Sequence, residues 1–313
     1  MAFADGIQEF IDRSNNVLYP DFYKLPVQQQ RDLYMQLNVE FAFPEVENVR
    51  VSSQIVRGPE AHIPVRIYTP ASPRRHGVVF YLRGGGFVLG SADSHHSAIA
   101  DLCRQSGLTV VAPDFRLAPE HPFPAPLEDC YVALQALRNG ELDIEAGTDA
   151  VIIAGDSSGA NMAVVVAMMV RDRQQPPLAG QALISPVLDF SRWRHGGDDA
   201  PLLSGGEMEF FTACYAPTTE QVRHAYVSPL ISGSFHDLPP AYIMGASEDS
   251  LVQDAVRYSE HLQQQGIAVE LTIEPGLVHA PLRARQLSRS MAQAWARYCD
   301  AVSRLARVPE EAY

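Results

Sequence analysis

Lysine is almost missing from this chain. Its 313 residues include 24 lysines and arginines together, and Lys24 is the single lysine. A P-loop needs a Gly-Lys-Ser/Thr step, whereas Lys24 lies between Tyr23 and Leu25, so that phosphate cradle is excluded. Schiff-base chemistry, pyridoxal phosphate included, would have to rest on Lys24 alone and is not expected. No basic run occurs and the formal net charge is −13, which argues against nucleic acid as a partner. Long apolar runs are also missing: the stretch 162–170 is far shorter than the ~18 residues of a membrane span. Residues 1–10 show neither a basic nor an apolar leader region, so no secretory signal is expected. Cysteine is sparse. Cys103, Cys130, Cys214 and Cys299 are scattered without a CxxC, the pattern of free thiols in a reducing compartment, and a cytoplasmic location follows as the expectation.

What is present reads as an α/β protein. With 46% hydrophobic residues the chain can bury a large core, and its length suits two domains or one α/β domain with insertions. Apolar runs predict strands at 49–56, 65–68, 78–82, 109–112, 151–154, 182–184, 241–244 and 269–273. Several are continuously apolar, which suits parallel strands covered on both faces. Between them, Leu127, Cys130, Tyr131, Leu134 and Leu137 fall on one helical face. Val252, Ala255, Tyr258 and Leu262 repeat the pattern, and a last helix is predicted over 282–305. This alternation implies right-handed crossovers and a mostly parallel sheet.

Two regions interrupt the alternation, 1–45 and 190–225. Both are rich in aromatics (Phe3, Phe10, Phe22, Tyr23, Phe210, Phe211, Tyr215), which disordered segments lack. They are read as two pieces of one helical cap. The organisation expected is therefore 1–45 cap, 46–189 core, 190–225 cap insertion and 226–313 core.

The chemical signal is Gly155-Asp156-Ser157-Ser158-Gly159, a G-x-S-x-G pattern. Alone it arises by chance in roughly one in ten chains of this length. Here it follows the strand 151–154 and opens a helix over 161–171, so a sharp strand-to-helix turn would push the Ser157 hydroxyl out from the sheet edge. A nucleophilic serine needs a base, and that base needs an orienting acid. His279 follows the last predicted strand. His62, His76, His121, His236 and His261 are assigned to turns or helices, His195 and His224 to the cap, and His95-His96 has no third ligand at metal-binding spacing. For the acid, Asp249 sits at the C-terminal end of the preceding strand, with Asp254 as the fallback. Arg83-Gly84-Gly85-Gly86-Phe87, after the strand 78–82, offers backbone amides for an oxyanion.

These stretches, with 112–126 (APDFRLAPEHPFPAP), resemble the hormone-sensitive-lipase-like branch of the α/β-hydrolases over about residues 50–290. The resemblance implies an eight-stranded, mostly parallel sheet flanked by helices and covered by a helical cap. It also implies hydrolysis of short- to medium-chain acyl esters without metal or organic cofactor. Ser157 would be the nucleophile, Asp249 the acid and His279 the base, with the amides of Gly85, Gly86 and Ser158 as the oxyanion hole. The partner would be a small ester, and a homodimer is compatible with the sequence. Four positions depart from the family: Arg83 for histidine, Ser158 for alanine, Ala280 for glycine and Ser250 for proline. Arg83 would anchor its loop through Glu120 or Asp156, or reach toward an acidic substrate group. An amidase, deacetylase or lactonase would use the same triad, and a non-catalytic ligand-binding protein the same fold.

Overall fold

A computed structural model describes residues 2–58, 60–72, 77–232 and 234–306. Helices α1 (Ile7–Val17) and α2 (Val27–Glu40) precede strands β1 (Val49–Arg57), β2 (His62–Pro70) and β3 (Val78–Leu82). There follow α3 (His96–Ser106), β4 (Thr109–Pro113), α4 (Ala125–Arg138), β5 (Val151–Asp156), α5 (Ser158–Asp172) and β6 (Gly180–Ile184). Next come α6 (Gly205–Tyr215), α7 (Thr219–Arg223), the short α8 (Pro229–Ser232), β7 (Ala241–Ala246), α9 (Val252–Gln264), β8 (Val269–Glu274) and α10 (Arg289–Leu305). All eight expected strands form, in one sheet of order β1-β2-β4-β3-β5-β6-β7-β8. β2 runs antiparallel to both β1 and β4, and every other pair is parallel.

The apolar strands are buried on both faces because helices cover both. Val78, Phe80 and Leu82 of β3 join the core beneath α4, α5 and α9, while Val79 and Tyr81 join the one beneath α3 and α10. Such a sheet leaves its functional edge at the C-terminal ends of the strands, where the loops after β3, β5, β7 and β8 meet. Helices α1 and α2 and the 199–211 stretch stand over that edge, with the Tyr23 ring 6.4 Å from that of Phe210.

The helix expected over 282–305 is two pieces. A 3-10 turn, Leu282–Gln286, ends at Leu287, and Ser288 then caps α10 by accepting from the Met291 amide at 3.1 Å. Asp5 adds a second cap from outside, accepting the Arg289 and Ser290 amides at 2.7 and 3.1 Å. His62 opens β2 rather than a turn, and His76 lies outside the described residues. No helix among the described residues is long and apolar enough to cross a membrane.

Candidate active site

Ser157 stands between β5 and α5 with φ 53° and ψ −121°, an unfavourable conformation for a residue with a side chain. The surroundings impose it. Its amide donates to the Ile184 carbonyl at 2.8 Å. Gly155 and Gly159 let the turn approach β3: a Cβ on Gly155 would lie 2.6 Å from the Leu82 carbonyl oxygen, and one on Gly159 only 2.1 Å from it. The elbow is thereby pressed against the loop that carries Arg83–Gly86.

His279 Nε2 lies 2.8 Å from Ser157 Oγ, and His279 Nδ1 lies 2.9 Å from Asp249 Oδ2. Asp249 is buried, and its other oxygen accepts from the Leu251 amide at 2.9 Å. The loops carrying the two residues are bonded together, Ser247 N to Glu274 O and Glu248 N to Leu277 O, each at 3.0 Å. Burial works to lower the His279 pKa, but the charge and hydrogen bond of Asp249 outweigh it and raise it above the ordinary 6.5. Ala280 takes φ 37°, a region that favours the glycine usual in the family. Asp254, the fallback acid, is placed elsewhere. Its buried carboxylate accepts the Leu188 and Asp189 amides at 2.7 and 3.2 Å and pairs with Arg192 at 2.8 Å.

Gly85 (φ 122°) and Gly86 (φ 61°) line the same cavity as Ser157 and His279, about 650 Å³ in volume. Ser158 opens α5 directly after Ser157, where the first amides of a helix have no intrahelical acceptor. The Phe211 ring of α6 packs on Gly86 so closely that a Cβ there would meet it at 2.5 Å.

Arg83 pairs with neither Glu120 nor Asp156, nor does it line the cavity. It is buried, donates to the Leu89 carbonyl at 2.8 Å and to Asp114 at 3.1 Å, and lies 4.5 Å from the Phe115 ring centre. It therefore closes the glycine loop on itself. Glu120 belongs instead to Arg31 of α2, which also donates to the Val88 and Ala118 carbonyls at 3.0 and 3.1 Å.

Asp156 proves to be a hub that the motif did not reveal. It accepts from Tyr81 Oη at 2.8 Å and the Gly84 amide at 3.1 Å, and it faces His95 Nε2 at 3.2 Å. Burial would raise its pKa, but these donors hold it below the usual carboxylate range. Burial also lowers the His95 pKa, against the pull of Asp156. The sequence around His95 does not show this role, because its partner lies 61 residues away. Among the described residues no cluster of three or more His, Cys, Asp or Glu side chains is arranged to hold a metal ion.

A family model described as the alpha/beta hydrolase fold matches residues 79–283. The chain belongs to that family. It is 34% identical over 250 residues to the carboxylesterase NlhH of Mycobacterium tuberculosis, covering 77% of this chain and 78% of that one. It is 35% identical over 233 residues to an ethyl acetate hydrolase of Pseudomonas putida, covering 71% and 72%. Among solved structures, a hyperthermophilic esterase from the archaeon Pyrobaculum calidifontis superposes with TM-score 0.88 at 27% identity, over 98% of this chain and 99% of that one.

Proposed function

We propose that this chain, a serine ester hydrolase of the carboxylesterase type, acts through Ser157, His279 and Asp249. His279 Nε2 takes the Ser157 proton as Oγ attacks the ester carbonyl, and the tetrahedral oxyanion is held by the amides of Gly85, Gly86 and Ser158. Collapse expels the alcohol, which takes its proton from His279. A water molecule, deprotonated by the same imidazole, then releases the acid and restores the serine. Asp249 fixes the tautomer whose Nδ1 proton points toward it. The observation that carries this reading is the unbroken relay Asp249–His279–Ser157, at 2.9 and 2.8 Å, on the wall of the cavity.

Segments 1–45 and 190–225 serve as the cap over this site, and the cavity volume suits short or medium acyl chains. Four free thiols, three of them buried, support a cytoplasmic setting. The test is release of nitrophenol from a short-chain nitrophenyl ester. Ser157→Ala is expected to lose turnover by ~10⁴-fold or more. Equal rates for the two proteins would overturn the reading.

A further inference from the structure

The charges lining the cavity are unevenly satisfied. Its carboxylates already have partners. Asp21 pairs with Lys24 at 3.0 Å, Asp156 holds the three donors described above, and Asp199 accepts the Gly205 amide at 2.8 Å. Glu207 accepts from Ser204 N and Oγ at 2.8 and 2.9 Å. Arg283 is different. Its guanidinium meets only neutral groups: Asn38 Oδ1 at 3.3 and 3.4 Å, the Ser94 carbonyl at 3.0 Å and the Tyr34 ring at 5.0 Å. No carboxylate among the described residues lies within 4.0 Å of it, and its Nη1 has no protein acceptor among them. In a chain of net charge −13, a cation without a carboxylate partner on the wall of a reaction cavity is out of pattern.

Arg285, two residues on, also lines the cavity. It is 9% exposed, donates through Nη1 to the Leu282 carbonyl, and lies against the Phe43 and Trp295 rings at 4.4 and 4.9 Å. Its nearest carboxylate, Asp101, stands 3.9 Å away and is engaged by Arg104, Gln105 and the Trp295 indole. Burial pushes this guanidinium down to about 10, so it is still charged at neutral pH.

We propose that Arg283, backed by the field of Arg285, is an anion-recognition subsite that selects esters bearing a carboxylate. The inference rests on the ester-hydrolase reading and names its substrate class. Both arginines follow His279 on one loop. Arg283 also reaches the nucleophile through a short chain of contacts, Ser94 to His95 Nδ1 at 2.9 Å and His95 to Asp156, the neighbour of Ser157. A substrate carboxylate would take a charge-assisted hydrogen bond from the spare Nη1, leaving the bonds to Asn38 and Ser94 in place. The anion can belong to the acyl part, as in a dicarboxylic half-ester, or to the alcohol part, as in an acylated hydroxy acid.

The experiment compares kcat/KM for size-matched pairs of one anionic and one neutral ester in two arms. Monoethyl glutarate is set against ethyl hexanoate, and acetylated hydroxypropanoate against butyl acetate. At least one arm is expected to favour the anionic ester by about tenfold, the scale of one charge-assisted hydrogen bond. Arg283→Gln should abolish that ratio and Arg283→Lys retain part of it. A purely structural arginine would lower both members of a pair equally and leave the ratio unmoved, which overturns the proposal. So does slower hydrolysis of the anionic ester in both arms. Inhibition of neutral-ester hydrolysis by glutarate, against pentanediol as the uncharged control, asks the same question without any variant, and equal inhibition counts against the subsite. Active hydrolysis of neutral esters without anion preference would remove this inference and leave the hydrolase reading standing. No turnover of any ester would remove both.

Discussion

Ser157 shows how a single residue can be held against its own preferences. Its positive φ stores about 1–3 kcal/mol of backbone strain, and the Ile184 hydrogen bond and the close contact of Gly155 and Gly159 with β3 hold it there. The same contact ties the proposed nucleophile to the loop of proposed oxyanion donors. At His279 the balance is electrostatic. Because Asp249 raises its pKa and only the neutral imidazole can act as base, kcat/KM should fall on acidification with an apparent pKa above 6.5. Asp249→Asn removes the charge that raises it. The acid limb should then move to lower pH while kcat drops about 10³–10⁴-fold, both read from one pH–rate series. An acid limb unmoved in the variant would mean that another group sets it.

At the scale of elements, the strands were legible because each apolar run had only one way to be buried. The G-x-S-x-G turn, His279 and Asp249 were legible because a fixed chain order carries them to one sheet edge. Other features depended on partners distant in sequence. Ser288 looks like any serine until Asp5 is seen capping the same helix start. Arg83 had several carboxylates within plausible reach, and only the path of the loop after β4 decided for Asp114. His95 acquires its role solely through Asp156, and Arg283 through Asn38 and Ser94.

Asp254 supplies a test at this scale. Burial raises its pKa from 3.8 to about 6, against the pull of Arg192 and two amides. A carboxyl whose folded pKa is raised contributes stability that is fully present below pH 3.8 and is lost as pH rises through about 6. The loss is on the order of 3 kcal/mol for a shift of this size. The melting temperature of the wild type relative to Asp254→Asn should therefore decline between pH 4.5 and 7. A difference that grows over that interval would mean the carboxylate is net stabilised by Arg192.

For the molecule as a whole, Arg31 is the joint between the N-terminal helices and the catalytic edge. From α2 it grips Val88, Ala118 and Glu120, and Val88 lies on the loop whose Gly85 and Gly86 line the cavity. The N-terminal helices and the glycine loop are mechanically one unit at this point. Arg31→Met should lower kcat/KM for a neutral short-chain ester about tenfold by loosening that loop. Its melting temperature, followed by circular dichroism, should move by only a few degrees. A full loss of the fold would place α2 in the core's stability instead.

The scarcity of lysine has a practical side. Lys24 ends the 3-10 turn Phe22–Lys24, its side chain 63% exposed, and its neighbours Phe22 and Tyr23 line the cavity. Amine-directed chemistry on side chains therefore has one address, and that address stands beside the substrate chamber. A dye attached there would sit next to residues of the cavity wall, and anchoring the protein to a surface by the same amine would hold that part of the wall near the support.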